Sequence, residues 1–249
     1  MDDPVIDNLT HILDRIASAC KASGRPADSV KLLLATKTVP ADRIKTALLA
    51  GQTLIGENKV QEIRDKYEVL QSIPHQTHYI GHLQTNKIKD VLKYNVSCIQ
   101  SLDRIDLAEK LEQRLALEGR HMDVFIQVNT SFEDSKFGVA PEEALNLIRQ
   151  VALCEHLHIK GLMTIGLFSA DNEQVRKCFR LLKGIQLQIN SENIAGVEMT
   201  DLSMGMSGDL EIAIQEGATI VRVGTAIFGQ RIYPDSYYWN EGQDSQQVS

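Results

Sequence analysis

Two hydrophobic periods take turns along the whole chain. Positions 4–23 repeat apolar side chains at helical spacing, with Leu9, Ile12, Leu13, Ile16 and Cys20 on one face and polar residues between them. Gly24, Arg25 and Pro26 end that helix. Beyond it, short apolar runs of strand character alternate with amphipathic helical stretches. The pattern predicts strands at 31–37, 53–56, 78–81, 97–101, 123–129, 159–165, 197–203 and 219–223. It predicts helices between them at 41–50, 58–70, 84–93, 103–118, 141–153, 171–189 and 208–216. Many of the strand runs are apolar and close on Gly, Asn, Ser or Lys, which suits strands buried on both faces with function at their C-terminal ends.

Eight such alternations in 249 residues favour a single (β/α)8 TIM barrel with an extra N-terminal helix. An open, doubly wound sheet is the alternative with the same pattern. One domain is expected over 1–239, followed by a polar, disordered tail at 240–249. A net charge of −7 gives the chain no general pull towards nucleic acid or an acidic membrane. No stretch approaches the roughly 20 apolar residues that span a bilayer, and Met1-Asp2-Asp3-Pro4 lacks the basic-then-apolar order of a signal peptide. Four scattered cysteines, Cys20, Cys98, Cys154 and Cys178, read as reduced thiols of a cytoplasmic protein. The absence of an extended apolar surface pattern favours a monomer.

The chemistry starts at Leu32-Leu33-Leu34-Ala35-Thr36-Lys37, an apolar run that delivers one lysine to the mouth of the first strand. Desolvation favours the neutral amine, and only the neutral amine attacks a carbonyl. Near the other end, 203–209 and 224–226 follow the last two strands and are rich in Gly, Ser and Thr. In barrels of this kind those two loops often hold a phosphate through close backbone amides and hydroxyls. Taken singly, each reads equally well as a tight turn. Arg222 lies inside the last strand, where it either pairs with a barrel carboxylate or meets a ligand. An aldehyde for a lysine, a phosphate for an amide nest and a ring nitrogen for an arginine together describe pyridoxal phosphate. Asn58 either packs beside such a ring or caps the following helix. Met204 and Met206 are expected to pad the pocket floor. His75, His78 and His82 resemble a metal cluster, but the intervening strand excludes a helical i, i+4 pair, so no metal is expected. Gln84, Asn86 and Lys87 are expected at the rim, and Lys136 in a solvated loop.

These residues resemble the pyridoxal phosphate homeostasis proteins, also called proline synthetase co-transcribed homologues. The matching stretches run almost end to end. They include Ala35-Thr36-Lys37-Thr38-Val39-Pro40, Gly56-Glu57-Asn58-Lys59-Val60-Gln61-Glu62, positions 78–87, Ser101-Leu102-Asp103-Arg104, Val128-Asn129-Thr130-Ser131, Gly161-Leu162-Met163-Thr164, 202–209 and 221–231. Lys59 departs from the tyrosine usual at that place. The resemblance implies a barrel like the N-terminal domain of alanine racemase, fold type III. It implies a Schiff base to pyridoxal 5'-phosphate at Lys37, with Arg222 facing the pyridine nitrogen. It implies that Ser207, Gly224 and Thr225 hold the phosphate, with Asn58 and Met204 nearby. It implies a carrier or buffer of the cofactor that maintains vitamin B6 and amino-acid balance, without established turnover, whose partners are pyridoxal phosphate and other B6 vitamers, with cofactor-dependent apoenzymes as candidate recipients. An amino-acid racemase or lyase is the alternative, but a racemase needs a second acid/base group on the opposite face, and none is evident here. Tyr237, Tyr238 and Trp239 are expected to dock on the barrel wall rather than to supply it. A lysine-dependent aldolase would need further acid/base groups that the pattern does not place.

Overall fold

Residues 4–229 are described by the structure, a computed structural model. The chain opens on α1 (Val5–Ala22), whose Val5, Leu9, Ile12, Ile16, Ala19 and Cys20 form one buried stripe. Eight strands follow: β1 (Lys31–Ala35), β2 (Leu54–Glu57), β3 (Gln76–Tyr79), β4 (Val96–Leu102), β5 (Met122–Gln127), β6 (Leu157–Met163), β7 (Val197–Ser203) and β8 (Ile220–Val223). Helices α2 (Ala41–Leu49), α3 (Val60–Leu70), α4 (Ile88–Lys93), α5 (Ile105–Glu118), α6 (Ala144–Val151), α7 (Asn172–Glu192) and α8 (Leu210–Gln215) connect them, and α9 (Thr225–Phe228) follows the last strand.

The strands pair in sequence order, all parallel, and β1 closes on β8. The open sheet is thereby excluded. Outward-facing strand residues such as Leu34, Ile99 and Val221 join the helices in one continuous core. Inward-facing Leu33, Leu54, Cys98, Phe125, Met163 and Ile220 form a separate apolar plug on the barrel axis. The interior is thus packed, and a ligand is confined to its mouth. Helix α1 lies in the outer ring against α8 and α9. Arg15 pairs with Glu211 at 2.6 Å, and Asn8 donates to the Ile227 carbonyl at 3.0 Å. The extra helix therefore braces the elements that follow β7 and β8.

Several boundaries differ from the sequence pattern. Strand β1 stops at Ala35, so Lys37 sits in the turn beyond it. Strand β3 runs earlier than expected and ends at Tyr79, because the chain at Gly81 must press against the Asn58 main chain. A Cβ there would lie 2.1 Å from the Asn58 carbonyl oxygen. The helix expected from 141 opens as a 3-10 turn, Pro141–Glu143. The tail at 240–249 and Tyr237, Tyr238 and Trp239 lie outside the described residues.

Candidate functional site

All C-terminal strand ends of a closed parallel barrel lie on one rim, and that rim gathers the expected residues. Lys37 stands two residues past β1 and is 8% exposed. Its turn requires a left-handed backbone at Thr38, φ 65°. Such a conformation is strained for a β-branched residue and has to be held by its surroundings. The restraint comes from the outer face of the barrel. The Glu57 Oε1 accepts from Thr36 Oγ1 at 2.6 Å and from Lys66 Nζ at 2.7 Å. Lys66 also donates to the Thr36 carbonyl at 2.8 Å and to Glu62 Oε2 at 2.9 Å, and that oxygen accepts the Thr38 N–H at 2.5 Å. Two carboxyls and one ammonium therefore hold both neighbours of Lys37. Sequence reasoning missed this clamp. The alternation along β2 was its one available signal, since Leu54 joins the axial plug and Glu57, three residues on, must face outwards under α3.

The two expected anion loops meet. Ser207 Oγ lies 3.3 Å from Thr225 Oγ1, although the residues are 18 apart in sequence. Gly224 passes against β1, where an added Cβ would be 2.7 Å from the Ala35 carbonyl oxygen. That close approach puts the hydroxyl pair on the same side of the rim as the Lys37 turn. Helices α8 and α9 begin at Leu210 and Thr225 rather than at Gly208 and Ala226.

Arg222 points into the barrel, one alternation step above Ile220 of the plug. It is 6% exposed, and burial pushes its guanidinium down to about 10. Nη1 donates to Ser203 Oγ at 2.8 Å and Nη2 to the Thr164 carbonyl at 2.7 Å. Ser203 in turn donates to Gln100 Oε1 at 2.7 Å, and the Gln100 amide meets His78 Nδ1 at 2.8 Å. No carboxylate pairs with Arg222 among the described residues; Asp209 reaches it only through its field. The ion-pair reading of Arg222 is therefore replaced by a cation held on neutral acceptors. This polar layer above the apolar plug also went unread in the sequence, because Gln100 and Ser203 look like ordinary strand ends.

Asn58 is 6% exposed, and its Oδ1 has no hydrogen-bond partner among the described residues. It does not cap α3, whose N-cap position is Lys59 and carries no side-chain capping bond. Met204 departs from its expected place: its side chain belongs to the outer core with Leu202 and Val221, not to the axial plug. The three histidines do not converge. His78 enters the axial network, His75 bonds the Ile73 carbonyl, and His82 stacks on Phe137 at 3.9 Å. Lys136 is tied down rather than solvated, donating to the Gly166 carbonyl at 2.7 Å and pairing with Glu133.

The arrangement offers a lysine, a hydroxyl-lined cradle, a buried cation and an unsatisfied amide around one mouth. Comparison with known proteins gives the family. Residues 6–232 match the family model described as alanine racemase, N-terminal domain. A pyridoxal phosphate homeostasis protein of Aquifex aeolicus is 42% identical over 227 residues, covering 91% of this chain and 98% of that one. A crystal structure of an unknown protein from Bifidobacterium adolescentis superposes with a TM-score of 0.86 at 39% identity, covering 92% and 97% of the two chains. PipY of Synechococcus elongatus, solved with pyridoxal phosphate bound, gives a TM-score of 0.76 at 32% identity and covers 88% of this chain and 100% of its own. The chain belongs to the pyridoxal phosphate homeostasis protein family, within the group built on the alanine racemase N-terminal domain.

Proposed function

We propose that this protein binds pyridoxal 5'-phosphate at the C-terminal mouth of its barrel and serves as a carrier or buffer of that cofactor. The observation that carries the reading is the convergence of the Lys37 turn with the Ser207–Thr225 hydroxyl pair around Gly224. The residues fit the group. An unpartnered Asn58 Oδ1 awaits a donor such as the ring hydroxyl, and the missing Cβ of Gly224 lets the loop after β8 close against the Ala35 carbonyl of β1, beside the Lys37 turn. When bound, the cofactor supplies an aldehyde and an electron-withdrawing ring.

In this reading Lys37, buried in the turn after β1, would hold the aldehyde carbon covalently through its amine. Ser207, Thr225 and the Gly224 backbone bind the phosphate, while Met204 contributes only from the layer behind them. Arg222, fixed by Ser203 and Thr164, presents a further N–H to the pyridine nitrogen. A guanidinium buried down to about 10 is still a cation at neutral pH and does not hand over its proton. The ring nitrogen therefore stays unprotonated, and the ring is a poor electron sink. That favours storage over racemase or lyase turnover. No helix among the described residues is long and apolar enough to cross a membrane. The proposal extends to a cytoplasmic monomer that yields its cofactor to dependent apoenzymes.

The test is an absorbance titration with pyridoxal phosphate. Wild type is expected to gain a visible band that hydroxylamine bleaches, and Lys37→Ala to gain none. Exchange of the Cα proton of added amino acids is expected at the rate of free cofactor. Exchange far above that rate favours the racemase reading.

A further inference from the structure

A second cavity lies on the outer wall of the barrel, behind the Lys37 turn. It encloses about 260 Å³ between α3 and the β2–β3 edge. A water occupies about 30 Å³ of liquid, and drug-sized pockets begin at about 300 Å³. The space thus suits a molecule of a few to about ten heavy atoms. One side is apolar, with Ile63 and Ile73. Another carries Tyr67 and Tyr94, set edge to face at 5.3 Å and 61°. The inner wall holds Glu57 and Lys66, both almost fully buried.

Glu57 and Glu62 share the single ammonium of Lys66. Glu57 is 1% exposed, its Oε1 is taken by Thr36 and Lys66, and its Oε2 has no partner among the described residues. A buried carboxyl with an idle oxygen is costly to keep, and a protein retains it where a donor completes it. The cavity borders that carboxyl.

We infer that this cavity is a second ligand site, which takes a small ammonium with an apolar or aromatic body. The ammonium donates towards the idle Oε2 of the Glu57 carboxyl. The body packs on Ile63 and Ile73, beside the Tyr67 ring. Burial above all, and the neighbouring Glu62, hold the Glu57 carboxyl up at about 7 against the opposing pull of Lys66. The occupant touches the clamp from behind. Glu57 and Lys66 bond the Thr36 hydroxyl and carbonyl, so ligand binding is coupled to the turn that carries Lys37. Only that coupling rests on the proposed cofactor reading; the site itself does not.

N-methylbenzylamine is the probe, because a secondary amine forms no stable imine with an aldehyde. Benzyl methyl ether is its neutral counterpart. Saturation-transfer and protein-observed NMR on the full chain would follow binding. The amine is expected to bind at least tenfold tighter than the ether and to shift resonances of Ile63, Tyr67 and Tyr94. Glu57→Gln is expected to remove the preference for the amine. Gln71→Trp, at the exposed mouth of the cavity, is expected to block both probes while the absorbance titration with pyridoxal phosphate stays unchanged. Equal binding of amine and ether, no binding of either, or unaltered binding to Gln71→Trp each overturns the site. A protein that binds the amine but gains no visible band keeps this inference and loses the cofactor reading.

Discussion

At the residue scale, Arg222 shows why a functional position is legible when its environment is not. An arginine between two valines in a buried strand is conspicuous in sequence, and the structure confirms that it points inwards. Its partners could not be read, because Ser203 and the Thr164 carbonyl come from strand ends far away in the chain. A buried cation resting on neutral acceptors recovers little of its desolvation cost. Arg222→Met is therefore expected to leave the stability of the cofactor-free protein within about 1 kcal/mol of wild type, or to raise it. Urea denaturation checks this, and a loss of more than about 3 kcal/mol would show that the guanidinium is structural. Asn58 was left between two roles by its sequence context. The absence of a capping bond removes the cap role, and the unpartnered Oδ1 leaves the side chain an acceptor for a ligand.

At the element scale, the barrel was legible because every strand and helix repeats the same local signal. Boundaries were less so where tertiary contact overrides pattern. Apolar alternation carries β1 on to Lys37, yet the strand ends at Ala35, because Thr36, Lys37 and Thr38 must turn under the clamp from β2 and α3. That clamp joins residues 21 and 30 positions apart, beyond the reach of periodicity. Lys66 makes three of its bonds. Lys66→Met leaves the buried Glu57 carboxyl unpaired beside the partly exposed Glu62 and is expected to cost about 3–5 kcal/mol. Adding Glu57→Gln is expected to recover part of that loss, since the remaining carboxyl is then alone. A double-mutant cycle by chemical denaturation measures both. At the other loop, Gly224→Ala forces a Cβ to 2.7 Å from the Ala35 carbonyl oxygen. The shift it imposes is expected to cost about 1–3 kcal/mol and to weaken pyridoxal phosphate binding in the absorbance titration.

At the scale of the whole molecule, two buried groups oppose each other in their response to pH. Glu57, raised to about 7 mainly by burial, stabilises the fold below the usual carboxylate range, and that contribution is lost as pH climbs through about 7. His78, lowered to about 4 mainly by burial, stabilises the fold as a neutral ring above about 6.5, and that contribution is lost as pH falls through about 4. Between roughly pH 4.5 and 6.5 the two slopes have opposite sign and partly cancel. Glu57→Gln is expected to steepen the loss of stability on acidification in that window, and His78→Gln to flatten or reverse it. Urea midpoints at half-unit steps of pH read the difference, and parallel curves for all three proteins would contradict the assignment.

For pyridoxal phosphate to bind as proposed, the turn after β1 and the loops after β7 and β8 must serve one ligand. Borohydride reduction of the protein loaded with pyridoxal phosphate, followed by peptide mass mapping, tests this most directly. The expected result is a single phosphopyridoxyl adduct on Lys37, lost when excess inorganic phosphate competes during loading. An adduct spread over surface lysines, or one on Lys37 indifferent to Ser207→Ala and Thr225→Val, would contradict it.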